Sequence, residues 1–308
     1  MYLCMHVCMY VGGHDHFYKS APEHRVVKSG EEWRWMTKVQ IEVQAAQPPK
    51  VRVETVDVWS TLPDDIQINA LCDKYALLCQ RKFKRKIFET AMELLPIEEV
   101  VRYKESALCN WMCDVCVEDY SLQEGLQTAD MCILLGYNFA GKAAIPAGDF
   151  TLAHLFSIFP LPLTMNVVRI TGQNVLDSLT VGCADLPGEC GAIHHVSAAL
   201  SYTIQIDGKG RNKPRVARVL FLGEPLQLDR LYTVCLPTLM CTGKFGYEWN
   251  VTAEKVVDEE FAPQLQDLVT MYCKRNWKSA AQNKFPARPT MGRIRIEHYE
   301  SEGDDDAQ

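Results

Sequence analysis

Ile145-Pro146-Ala147-Gly148-Asp149-Phe150-Thr151 and, a little further on, Arg169-Ile170-Thr171-Gly172-Gln173-Asn174-Val175 are the stretches on which the reading of the fold turns. The first leads into a helical pattern over 152–159. The second closes a strand-like run over 166–170 and opens another helical pattern over 172–179. Outward from them, helices are expected at 105–120 and 261–274. Strands are expected at 131–135, 201–206, 215–220 and 232–236. Few of these spacings are strictly βαβ, so the segment 93–298 reads as an α+β domain with a mixed sheet. Its length suffices to bury its own core.

Upstream the character changes. Met1-Tyr2-Leu3-Cys4, Met5-His6-Val7-Cys8 and Met9-Tyr10-Val11 form a four-residue repeat. A tandem ATGT repeat read in frame encodes Met-Tyr-Val-Cys, so residues 1–11 are expected to be a translated microsatellite; the alternative is a short apolar strand. Gly12-Gly13-His14-Asp15-His16 follows, and then strand-like runs at 25–28, 36–43 and 51–59. Residues 12–62 thus read as the closing edge of a β-rich domain. Pro63-Asp64-Asp65 is a helix start, and apolar residues recur at Ile68, Leu71, Cys72, Tyr75, Leu78 and Cys79. The basic run from Arg81 to Lys86 is expected to continue this helix as a solvated face, making 63–92 a linker helix. Residues 299–308 are an acidic, disordered tail.

The chain has 308 residues, 47% hydrophobic and 23% charged, which is the balance of a globular protein with room for about two domains. No apolar run is long enough for a membrane span. A net charge of -7 gives no electrostatic reason to bind nucleic acid. The 13 cysteines are an odd number and no secretory signal precedes them, so reduced thiols in a cytoplasmic protein are expected.

Three constellations could carry chemistry. His14 and His16 sit at i and i+2 in a glycine loop and could face divalent metals, although two imidazoles do not complete a site. Cys109, Cys113 and Cys116 share a helical face. A zinc site would need one more ligand, so core thiols are the expectation. His194-His195 has no carboxylate at ligand spacing and reads as structural or surface. No nucleophile elbow, P-loop or dinucleotide fingerprint is present.

Taken in order, the segments resemble the 5′-nucleotidase family, in which a two-metal phosphoesterase domain is joined by a helix to a C-terminal substrate-binding domain. Arg102-Tyr103-Lys104-Glu105 with Asn110 and Asp114 is similar to the opening of that C-terminal domain. Residues 145–151 match its I-P-A-G segment, and Pro160-Leu161 through Val175 its L-P-F and T-G segments. Gly191 through Ser197 resembles G-x-F-x-x-V-S, and Tyr232 through Tyr247 occupies the place of the G-G-D-G segment. Gly12 to His16 looks like the last metal-binding motif of the phosphoesterase domain.

By this resemblance His14 and His16 are metal ligands, one for each of two divalent metal ions. Arg102, Lys142, Asn138 and Phe245 occupy substrate-binding positions, with Lys142 in place of an arginine. In the family the D-x-H, G-D and G-N-H-D/E motifs come before the segment that Gly12 to His16 resembles, and none of them stands there, so no catalytic residue is assigned. The chain is therefore expected to supply mainly the substrate-binding domain of a phosphate-ester hydrolase and to be inactive alone. Its partner would be a small phosphorylated substrate, with neither nucleic acid nor membrane. The alternative is a non-catalytic ligand-binding or interaction module. Leu161 and Leu239 align with the two stacking aromatics, and Phe245 with the G-G-D-G aspartate. That loss of aromatic faces argues for a sugar or glycerate phosphate over a purine nucleotide.

Overall fold

The computed structural model describes residues 10–12, 18–21, 26–30, 34–44, 49–58, 62–120, 128–188, 192–249, 253–257, 259–276, 284–285 and 290–300. The chain divides into two compact units, Met1–Leu77 and Leu78–Gln308.

In the first unit, β1 (Tyr10–Gly12), β2 (Tyr18–Ala21) and β3 (Val26–Ser29) form a sheet in the order β1-β3-β2. β4 (Trp35–Glu42) and β5 (Lys50–Asp57) form an antiparallel pair in which Val39 faces Val53. Trp35, Thr37 and Val39 alternate half-buried with exposed neighbours, as the period of two requires. Val27 alone is buried among this unit's described residues. Of the N-terminal repeat, Tyr10 and Val11 belong to β1, and residues 1–9 lie outside the described residues.

Helix α1 (Ile66–Phe83) starts where the sequence places it. The Asp65 carboxylate accepts the amides of Gln67 at 2.9 Å and Ile68 at 3.0 Å, satisfying two otherwise unpaired donors. Its end differs from expectation. The helix stops at Phe83 instead of running to 92, and β6 (Lys86–Thr90) follows. Ile87 and Phe88 are buried, and Phe88 stacks on Phe150 at 4.3 Å between ring centroids. A strand buries that apolar pair, whereas a solvated helix would expose it, so tertiary pairing overrides the helical pattern.

The second unit then runs through α2 (Glu98–Val101), α3 (Ala107–Tyr120), β7 (Met131–Leu135), β8 (Gly148–Thr151), α4 (Leu152–Ile158), β9 (Met165–Thr171) and α5 (Gly172–Cys183). It continues through β10 (His194–Val196), β11 (Leu200–Asp207), β12 (Arg215–Phe221), β13 (Glu224–Pro225), β14 (Leu231–Pro237), β15 (Glu254–Val257), α6 (Leu265–Asn276), β16 (Lys284–Phe285) and β17 (Ile294–Tyr299). Its centre is a mixed five-stranded sheet, β10-β7-β14-β9-β15, with β7 and β14 parallel. All of β7 is buried because its two faces serve two cores. Cys132 and Leu134 pack toward α3 and α6, while Met131, Ile133 and Leu135 pack toward α5 and the second sheet, β13-β12-β11-β17.

Both quoted stretches contain a helix-capping threonine. Thr151 Oγ1 accepts the His154 amide at 3.4 Å, and Thr171 Oγ1 accepts the Asn174 amide at 3.2 Å. A Cβ on Gly172 would lie 2.2 Å from the Gln227 carbonyl oxygen, so only glycine lets α5 begin there.

Three residues of the Arg102–Asp114 stretch hold α3 to the rest of the unit. Asp114 and Arg293 form a buried bidentate pair, 2.9 Å between Oδ1 and Nη1 and 2.7 Å between Oδ2 and Nη2. Arg293 Nη1 also donates to the Val196 carbonyl at 2.8 Å, and Asp114 accepts the Ala198 amide at 2.7 Å. Asn110 accepts the Val196 amide at 3.2 Å, and Glu105 accepts the amides of Gly292 at 2.8 Å and Arg293 at 2.7 Å. Thus α3, β10 and the start of β17 share one polar network inside the unit.

His194 and His195 are buried rather than at the surface. His195 Nε2 lies 2.9 Å from the Val101 carbonyl and must donate to it, which sets its neutral tautomer. His194 Nε2 lies 2.8 Å from the Tyr247 hydroxyl. Burial pushes both imidazoles down to about 4.

Two stability measurements follow from these contacts. Asp114→Ala leaves the Arg293 guanidinium buried without its counter-charge and should lower the unfolding free energy by about 3–5 kcal/mol in urea titrations. Glu254→Ala, which breaks an exposed pair with Arg169 (2.9 Å), should cost no more than about 1 kcal/mol. The histidines predict a pH dependence. Below about pH 6.5 the unfolded chain takes up protons that the folded chain refuses until about pH 4. Stability should therefore fall as the pH is lowered through that window, by up to about 1.4 kcal/mol per unit for each histidine. Unfolding free energies that stay flat from about pH 7 to about pH 5 would contradict this assignment.

Candidate functional site

The chain turns sharply at the C-terminal ends of the parallel neighbours β7 and β14. After β7 comes a 3-10 turn, Gly136–Asn138, and after β14 another, Thr238–Cys241. Side chains from these two turns and the loop beyond face a cavity of about 540 Å³. Tyr137 and Asn138 come from the first turn, Leu239 from the second, and Phe245 and Tyr247 from the following loop. Val181 and Gly182 of α5, Asp185 just beyond it, and His194 of β10 close the opposite side. A concave site of this size with few polar groups is the usual form of a small-molecule pocket.

Packing fixes several of these walls. A Cβ on Gly182 would lie 2.4 Å from His194 Nδ1, so α5 approaches the histidine only because residue 182 has no side chain. Asn138 Oδ1 accepts the Leu135 amide at 3.2 Å, holding the first turn closed. Phe245 is 70% exposed and has φ +58°, a left-handed conformation that a bulky residue adopts at a cost. An exposed and strained aromatic at a cavity rim points to a ligand contact. Tyr137, 47% exposed, is a second aromatic in the lining.

The expected site residues divide. Asn138 and Phe245 line the cavity, as does Leu239. Arg102 does not line it: its guanidinium lies 4.1 Å from the centre of the Tyr137 ring, on the wall, and is ion-paired with Glu98. Lys142 is exposed and also outside the lining. The backbone segments that carry them nonetheless meet, since the Glu98 amide donates to the Gly141 carbonyl at 3.2 Å. Leu161 is 76% exposed and is not part of the lining. His14 and His16 lie outside the described residues.

Sequence reasoning missed Tyr137, Asp185, His194 and Tyr247. Tyr137 had a visible signal, an aromatic directly beside Asn138, which the resemblance places at a substrate-binding position. Tyr137 and Phe245 thus put two aromatic side chains into the lining, although positions 161 and 239 carry leucine.

The described residues do not fit a two-metal hydrolytic centre. Their one cluster of three metal-ligating groups is Cys116, Cys132 and Cys235, all thiols and all buried. A two-metal phosphoesterase site needs carboxylate and imidazole donors open to substrate and water. No hydrolytic step is therefore assigned to these residues.

The 5′-nucleotidase C-terminal domain model matches residues 90–252. A 5′-nucleotidase of Vibrio cholerae is 33% identical over 106 residues, covering 34% of this chain and 18% of its own length. The fold is similar to that of a 5′-nucleotidase precursor from Thermus thermophilus, with TM-score 0.61 and 20% identity, covering 88% of this chain and 51% of that one. A Staphylococcus aureus structure of the 5′-nucleotidase type, in complex with alpha-ketoglutarate, gives TM-score 0.71 at 16% identity, covering 94% of this chain and 56% of the other. The chain thus spans about half the length of these solved structures and 18% of the curated relative. With the family model covering more than half of it, the chain belongs to the 5′-nucleotidase family, and residues 90–252 are that family's C-terminal domain.

Proposed function

We propose that this chain is the substrate-binding part of a phosphate-ester hydrolase and that its cavity takes the base and sugar of a nucleotide. The observation that carries this reading is the pair of exposed aromatics, Tyr137 and Phe245, in a single cavity of about 540 Å³. Aromatic side chains bind bases by stacking, worth about 1–3 kcal/mol per base. Asn138 and Asp185 supply polar groups that suit sugar hydroxyls. This replaces the smaller sugar or glycerate phosphate as the favoured ligand, because the cavity wall offers aromatic surface that such a ligand would leave unused.

The cavity lining holds a carboxylate, Asp185, and no lysine or arginine among the described residues. The phosphate is therefore placed outside it, toward Arg102 and Lys142. Arg102 is already engaged by Glu98, so an incoming phosphate competes for its guanidinium. By itself the chain is proposed to bind without cleaving, since its 308 residues contain no D-x-H or G-N-H-D/E motif.

Titration calorimetry with AMP, adenosine and ribose 5-phosphate tests the reading. AMP and adenosine should bind, and ribose 5-phosphate only weakly. Tyr137→Ala or Phe245→Ala should weaken AMP binding by roughly tenfold or more, as the loss of one stacking face requires. A preference for ribose 5-phosphate over adenosine would overturn it. Glu98→Gln separates the phosphate contact from the base contact. It should tighten AMP a few-fold and leave adenosine unchanged, whereas Arg102→Ala with Lys142→Ala should bring AMP down to the affinity of adenosine.

A further inference from the structure

Helix α3 meets the central sheet through sulfur. Cys113 and Cys116, three residues apart on α3, face the sheet, and Cys132 of β7 stands opposite Cys235 of β14 in the parallel register. All four are fully buried. The sulfurs of Cys116, Cys132 and Cys235 lie within 4.8 Å of one another. Cys113, three residues earlier on α3, is fully buried in the same core and supplies a fourth sulfur next to this trio. The sequence offered only the helical trio of Cys109, Cys113 and Cys116, one ligand short. The fold replaces Cys109 with two cysteines from separate strands.

A thiol is a small hydrophobe and a weak hydrogen-bonding group, so one buried cysteine needs no special explanation. Cys109, Cys183 and Cys273 are buried cysteines outside this cluster. Three elements converging on one point with sulfur is a different pattern, and it matches the donor set of a thiophilic closed-shell cation. In a tetrahedral zinc site the metal–sulfur distance of about 2.3 Å places sulfurs about 3.8 Å apart. The three sulfurs, within 4.8 Å of one another, already lie within about 1 Å of that separation.

We propose that Cys116, Cys132 and Cys235, with Cys113 available as a fourth donor, form a buried structural site for one thiophilic metal ion, best matched by zinc(II). Binding exchanges protons for metal. Zinc(II) displaces three thiol protons to solvent and leaves a complex of net charge -1, or four protons and -2 when Cys113 joins. Copper(I) on the same three thiolates would leave -2, a larger charge to bury, so zinc is the better fit. The ion would tie α3 to β7 and β14 at the layer beneath the ligand cavity, without touching substrate. Four protein sulfurs leave no open coordination position, which makes the site structural.

Because the cluster is closed to solvent, the ion enters as the chain folds. The full chain is prepared in two ways: expressed in zinc-supplemented medium, and denatured, reduced and refolded with one equivalent of cadmium(II). The readouts are metal content by mass spectrometry, sulfur-to-cadmium charge-transfer absorption and thermal unfolding. About one ion per chain is expected, with a raised Tm in the metal-loaded protein. Cys183→Ala, which removes a buried thiol on the other face of the sheet, should keep the ion. Cys132→Ala, which removes the thiol linked to both α3 and β14, should lose it. Copper(I) bound in preference to zinc(II) in a competition would overturn the zinc assignment. The site itself is overturned if wild-type protein from both preparations is free of stoichiometric metal, or if Cys132→Ala retains the charge-transfer band. It is equally overturned if denatured protein shows two thiols consumed as a disulfide within the cluster.

Discussion

The Asp114–Arg293 pair is the constraint on which the second unit depends. It joins a helix in the first part of that unit to a strand end near its close, across 179 residues of sequence. An unpaired charge at this depth would cost several kcal/mol, so the two residues must be placed together with their hydrogen-bonding partners. That requirement positions α3 on the sheet, β10 at its edge and β17 in the second sheet. The residues between Arg102 and Asp114 resemble a family signature, and in this structure Glu105, Asn110 and Asp114 spend their polar groups on holding elements together.

The ligand cavity is a consequence of that arrangement. With β10 fixed beside β7, His194 faces α5 across Gly182, and the turns after β7 and β14 open toward the same space. The cavity is apolar and aromatic where a base would lie, while the cations sit behind Tyr137 and along the Gly141–Lys142 segment. An arginine held over an aromatic face and paired with a carboxylate is partly neutralised in advance. On the proposed reading, the ligand's apolar part and its charge would meet different walls.

The elements of the second unit were largely legible in the sequence because their local signals agree with their tertiary environment. The strand at 131–135 is a continuous apolar run, and the helices at 152 and 172 are announced by capping threonines. Where the reading failed, the cause is identifiable. The run from Arg81 to Lys86 looked like more helix, but Ile87 and Phe88 gain more by packing against Phe150 and Trp111 than the helix could offer. The cavity was half legible: Asn138 and Phe245 could be placed by motif and Tyr137 stands next to the first of them, whereas Asp185 and His194 are brought in from α5's end and β10 by a docking that no local pattern encodes.

The sequence by itself determined the fold class, the family, and the long helices and strands of residues 93–298; the short elements α2, β8, β10, β13, β15 and β16, and the strand β17, were not read from it. Periodicity and short motifs are local properties, and one chain displays them. Only the tertiary structure decided which cysteines meet and which aromatics face the cavity. Those pairings join residues from different elements, and they are set by how whole layers dock to bury apolar surface, a cooperative outcome that no single segment contains.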